Sequence, residues 1–231
     1  MKIRTFVAAT LALSLSAFFA PTAGANEAIR KAVESRIQGK VEQINKTDYP
    51  GLYEVVAKGQ ILYTDEKGSF FLLGTLIDAK TMQNVTGKRV FATLPFDLAI
   101  KQVRGNGKAT LATFEDPNCG YCKRLAKDLV NLKNATIYTF MVPILSEDSV
   151  AKTKAIWCSD DRAKAWNDWM VDGKAPVAKK GCEAPVSKFS ELGERYQITG
   201  TPTILFADGT RVPGAMPLAQ IEQQLAGKAD Q

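Results

Sequence analysis

The tetrad Cys119-Gly120-Tyr121-Cys122 constrains this chain more than any other feature. It stands between an apolar, strand-like run, Ala109 to Phe114, and a stretch of helical spacing that reaches about Leu132. Two cysteines at this separation on a helix start place both sulfurs in the first turn, close enough to bridge. Backbone N–H groups there lack partners, and the positive end of the helix dipole favours an anion. Cys119 is therefore expected to attack disulfides, and Cys122, further inside the turn, to resolve the mixed disulfide that results. Two other uses of the tetrad stay open. Half of a zinc site would need Cys158 and Cys182 to complete it, yet these are not at ligand spacing and the chain has no histidine. A purely structural bridge is the other use, but a loop this short constrains an unfolded chain little. No metal and no cofactor are expected.

The absence of histidine also removes Ser–His and Cys–His nucleophilic pairs. Lys2 and Arg4, the apolar run Phe6 to Phe19 and the small residues Ala23-Gly24-Ala25 read as a cleaved export signal over 1–25. The run is shorter than the roughly 20 residues a membrane span needs. Export favours disulfides. Cys158 and Cys182 enclose a longer loop holding Trp166, Trp169 and Gly173, which suits a structural disulfide. The tryptophans read as packing residues. The formal charge of +6 is spread without a basic, aromatic-rich cluster, which argues against a nucleic-acid partner.

Two regions differ in texture. Over 26–92, an amphipathic helix from Glu27 to about Gln38 precedes strand-like runs at Leu52–Val56, Gln60–Tyr63 and Phe70–Leu76, with a hairpin turn at Asp65-Glu66-Lys67-Gly68. A unit of about 60 residues is marginal alone, and open strand edges need covering. Pairing with a second copy would meet both needs; packing on the chain's own second domain is the alternative. Leu94 to Val103 reads as a connecting helix within a linker, 93–107, stopped by Gly105-Asn106-Gly107. Over 108–231, a strand, the Cys119 helix, a strand at Thr136–Val142, a helical insertion, a strand at Thr203–Phe206, a hairpin and a closing helix give an α/β sheet with flanking helices, the whole chain being α+β.

The order of strand, Cys119-Gly120-Tyr121-Cys122, helix, insertion and Thr201-Pro202 before a strand resembles the thioredoxin superfamily. Lys154-Ala155-Ile156-Trp157-Cys158, Gly200-Thr201-Pro202 and Gly209-Thr210 through Val212-Pro213-Gly214 narrow the resemblance to the DsbC family of periplasmic protein-disulfide isomerases, over nearly all of the mature chain. The resemblance implies a thioredoxin-like catalytic domain behind a dimerisation domain. It implies a homodimer whose two arms flank an apolar cleft, misoxidised exported proteins as clients, and a membrane reductase of the DsbD type as partner. Pro202 would be cis and face Cys119, although trans is commoner before proline. Thr201, with Gly120 and Tyr121, would bind an extended client by strand addition. Cys158 and Cys182 match the family's second, structural pair. Thioredoxins carry a buried carboxylate six positions before the first cysteine; Thr113 stands there, and neither Glu115 nor Asp116 is assigned as acceptor for the Cys122 proton. Two other functions fit the same residues. One is a DsbG-like reductase of oxidised single thiols, a branch that resembles Cys-Pro-Tyr-Cys rather than this tetrad. The other is a chaperone with the dithiol secondary.

Overall fold

Ile29 and Val33, one helical turn apart, define the face on which the first helix packs. In the computed structural model, which describes residues 22–37 and 39–227, helix α1 spans Thr22–Ile37 rather than beginning at Glu27. Residues 1–21, most of the expected leader, lie outside the described residues, and the expected cleavage point near Ala25 falls in the first turn of α1. Ile29 and Val33 are fully buried against Val41, Val55 and Leu62. Those residues belong to a four-stranded antiparallel sheet, β1 (Val41–Lys46), β2 (Tyr53–Ala57), β3 (Gln60–Thr64) and β4 (Leu72–Leu73), ordered as in the chain. The turn after β3 is the one expected: Gly68 donates its N–H to the Asp65 carbonyl at 3.1 Å and adopts a φ of +67°. Strand β4 keeps only two residues of the longer Phe70–Leu76 run.

Two elements depart from the sequence reading. Helix α2, Val85–Ala92, is built from Val85, Thr86, Gly87 and Val90, all weak helix formers. It is held by its cap, since Asn84 Oδ1 accepts the Gly87 N–H at 2.7 Å, and by burial of Phe91. The expected linker helix at 93–107 is absent. A single 3₁₀ turn at Phe96–Leu98 leads into strand β5, Ile100–Val103. Ile100 and Gln102 face inward and Lys101 and Val103 outward, the period of two that marks a strand. Over four residues that alternation also passes for a helical pattern.

Strand β5 begins a second sheet of order β5-β7-β6-β8-β9, with β6 at Ala109–Glu115, β7 at Ala135–Met141, β8 at Thr203–Phe206 and β9 at Arg211–Pro213. Only β6 and β7 pair in parallel. Side chains alternate between two apolar cores. On one face Leu111, Ile137 and Ile204 pack with Leu125 and Leu129 of α3 (Gly120–Leu129) and Ile221 of α7 (Leu218–Ala226). On the other, Ala112, Phe114 and Phe140 pack with the insertion helices α4 (Glu147–Trp157), α5 (Arg162–Met170) and α6 (Val186–Arg195). The two sheets meet through α2. Asn84 Nδ2 donates to the Gly209 carbonyl at 3.1 Å, and Gly87 lies so close that a Cβ there would stand 2.2 Å from that oxygen.

Candidate active site

Strand β6 ends at Glu115, and the next four residues carry the chain onto helix α3. Cys119 is the N-cap of that helix, and its Sγ accepts the Cys122 N–H at 3.2 Å. An anion at this position would therefore be met by helix-start donors. Both cysteines are free thiols; Cys122 is fully buried and Cys119 is 6% exposed. The Thr201–Pro202 bond is cis. The Thr201 carbonyl accepts from Cys119 Sγ at 3.3 Å, so residues 82 positions apart in the chain meet at one sulfur. Tyr121 is exposed beside them under the Arg124 guanidinium, and a groove runs between these two side chains and Thr201, Pro202, Gly214 and Met216. Gly120 has open space at its Cα. Cys158 and Cys182 form a disulfide, with Cα atoms 5.7 Å apart, that ties the segment after α5 to the end of α4.

Glu115 belongs to this site, although sequence reasoning set it aside. Leu111, Thr113 and Glu115 alternate onto the β6 face covered by α3. Leu111 meets Leu125 and Leu129. Helix α3 runs back along the strand, so Glu115 at the strand end faces the first helical turn and Cys122. Glu115 has no solvent exposure, and neither carboxyl oxygen has a hydrogen-bond partner. Burial pushes its carboxyl up to about 8, with a smaller opposing effect from the Thr113 hydroxyl, which donates to Thr139 Oγ1 at 3.1 Å and not to the carboxyl. Burial raises the Cys122 thiol far above its ordinary value, and the negative charge of Glu115 adds to that rise. The period of two along β6 was the available signal for an inward Glu115.

Asp116 does different work. It too is fully buried, yet its oxygens are saturated. Oδ1 accepts from Asn118 N and Ser149 Oγ, both at 2.7 Å, and Oδ2 from Ile144 N at 2.9 Å and Leu145 N at 3.0 Å. Asn118 Nδ2 reaches Asp148 at 2.7 Å and Ser149 at 3.1 Å. Trp169, expected only to pack, also donates its indole N–H to the Pro117 carbonyl at 2.6 Å. The three residues before Cys119 are thus held by α4, α5 and the loop after β7.

Residues 96–228 match the family model described as a thioredoxin-like domain, and residues 20–87 match the one described as the disulfide bond isomerase protein N-terminal domain. Over 207 residues the chain is 45% identical to the probable thiol:disulfide interchange protein DsbC of Bordetella pertussis, covering 86% of this chain and 74% of that one. The chain belongs to the DsbC family of thiol:disulfide interchange proteins. It is also similar to the DsbC of Escherichia coli, at 27% identity over 221 residues and 92% of each chain. Among solved structures it is similar to a disulfide interchange protein from Neisseria gonorrhoeae, at 43% identity with a TM-score of 0.55, over 58% of this chain and 97% of that one. The DsbC assignment covers both sheets, since one matched model spans each of them.

Proposed function

We propose that this DsbC-family chain rearranges incorrect disulfides in exported proteins, working in the periplasm as a homodimer after cleavage of a signal near Ala25. The observation that carries the reading is Cys119 itself: a free thiol capping α3, 3.3 Å from the Thr201 carbonyl, with Cys122 buried behind it.

The Cys119 thiolate attacks a client disulfide; one S–S bond breaks, a mixed disulfide forms and a client thiolate leaves. A second client thiolate then attacks the mixed disulfide. The client gains a new pairing, Cys119 regains its thiolate, and no electrons are transferred overall. Where no client thiol arrives, Cys122 loses its proton and attacks Cys119. The client departs with both thiols reduced, and the Cys119–Cys122 disulfide must be returned to the dithiol by a membrane reductase of the DsbD type. Glu115 in its ionised form takes that proton, a role supported by its burial, its two unpartnered oxygens and its electrostatic effect on Cys122. The client lies along Gly120, Tyr121, Thr201 and Pro202, pairing its backbone with Thr201. Cys158 and Cys182 fasten the insertion and take no part in exchange. Dimerisation through β4 is supported by its exposed, unpaired outer edge, where Leu72 and Leu73 stand outside any core.

Refolding of a scrambled multi-disulfide protein tests the mechanism. With Cys119→Ser the yield of native pairings falls to the uncatalysed level; a variant that matches the wild type overturns the reading.

A further inference from the structure

A buried carboxylate costs stability unless its oxygens are hydrogen-bonded. Asp116 meets that condition with four donors, and two of them are the backbone N–H groups of Ile144 and Leu145. What those two bonds fix is unusual. Val142 and Pro143 are buried, but the next two side chains are turned into solvent, Ile144 47% exposed and Leu145 56% exposed. Folding alone would be served by polar residues at both positions. The sheet order places this loop with respect to the dithiol. Strands β7 and β8 flank β6, and β6 leads to Cys119. The loop after β7 and Thr201–Pro202, just before β8, therefore lie on opposite sides of Cys119. The Cys119 N–H donates to the Asp116 carbonyl at 3.0 Å, so one residue anchors both the attacking cysteine and the loop.

We propose that Ile144 and Leu145 form a ledge that selects client segments with an aliphatic side chain beside the cysteine under attack, and that Asp116 is the residue that positions it. The proposal rests on the exchange reaction at Cys119. Its occupant is an extended client segment, because Asp116, whose side chain holds the ledge, also accepts the Cys119 N–H on its carbonyl, beside the sulfur where the client disulfide must lie. The Tyr121–Met216 groove receives the segment on the far side of the sulfur, and the ledge receives it on the near side. Burial of a second client side chain strengthens binding in proportion to the apolar area covered, without altering the sulfur chemistry.

The test is single-turnover oxidation of the reduced full chain by two peptide disulfides, one with leucine and one with serine flanking its cysteine. In each reaction two protein thiols become the Cys119–Cys122 disulfide and the peptide disulfide becomes two thiols. The wild type is expected to half-saturate at lower concentration with the leucine peptide. In Ile144→Ser/Leu145→Ser, both positions being exposed, half-saturation shifts about tenfold for the leucine peptide and less than twofold for the serine peptide, the change falling on half-saturation rather than on limiting rate. Asp116→Asn is expected to produce the same selective loss with both aliphatic residues in place; should it not fold, the surface variant decides. Equal shifts for the two peptides, no shift, or a wild type that treats the peptides alike overturns the ledge. A change in the mass of the double variant by light scattering makes it a self-association surface and overturns it as well. A wild type that oxidises with neither peptide removes the exchange reaction itself, and this proposal with it.

Discussion

The two sheets of this chain finish their folding differently. The catalytic sheet is covered on both faces. Its two cores include Phe114, Phe140, Phe189, Leu111, Leu125 and Ile137, all with 1% exposure or less. The N-terminal sheet has four strands, α1 over one face with a small core around Ile29, Val33 and Val55, and the short α2 against the other, where Val56, Ile61 and Tyr63 are buried. Five of the ten large hydrophobic side chains that stand exposed among the described residues, Phe70, Leu72, Leu73, Ile77 and Met82, fall in the edge strand β4 and in the chain on either side of it. One unit hides its apolar surface within itself. The other leaves it at an open edge, where a partner's strand can add hydrogen bonds and cover the side chains together. The difference teaches that size alone does not decide which part of a chain is self-sufficient; closure of the sheet does.

The largest expected effect comes from breaking the incomplete side. Leu72→Asp with Leu73→Asp places two charges on the open edge and should halve the mass in solution, read by light scattering, while the Cys119 thiol still reacts with a small disulfide. An unchanged mass would overturn dimerisation through β4. A smaller effect is expected on the self-sufficient side. Cys158→Ser with Cys182→Ser opens a crosslink of sequence separation 24 and should lower unfolding free energy by about 3 kcal/mol in urea titration, leaving the mass in solution unaltered.

A pH-dependent effect concerns Glu115 and carries a definite sign. Its carboxyl is held up to about 8 in the folded chain by burial, above the ordinary value of about 4.3 in the unfolded chain. Between those values the folded state binds more protons than the unfolded state. Stability from this group is therefore fully present at low pH and declines as pH rises towards 8, by up to about 1.4 kcal/mol per pH unit. Glu115→Gln should flatten that decline in urea titrations from pH 5 to 8. A variant with the wild-type slope would mean that Glu115 is hydrated in solution.

Features that repeat or cap were legible in the sequence. The helical insertion was legible because apolar residues in it recur at helical spacing, as Trp166 and Met170 do in α5. The dithiol was legible because the spacing of Cys119 and Cys122 has chemical meaning without any tertiary contact. Strand β5 was not, since four residues are too few to separate a period of two from one of 3.6. Helix α2 was hidden because its stability comes from packing and a cap, against its own propensities. The neighbours Glu115 and Asp116 point to opposite faces of a strand end. One meets a thiol and the other four donors; the period of two along β6 turns Glu115 inward, but nothing local to the sequence says which partners each carboxyl finds. The cis bond before Pro202 followed from family resemblance, not from the dipeptide.

The contact between Gly87 and Gly209 has a mechanical consequence. A Cβ on Gly209 would sit 2.5 Å from the Lys88 nitrogen, just as one on Gly87 would strike the Gly209 oxygen. Two residues without side chains, one from each half of the chain, thus mate like key and keyway. Any side chain at either position would push α2 away from the turn before β9, so the seating of one half on the other rests on two glycines.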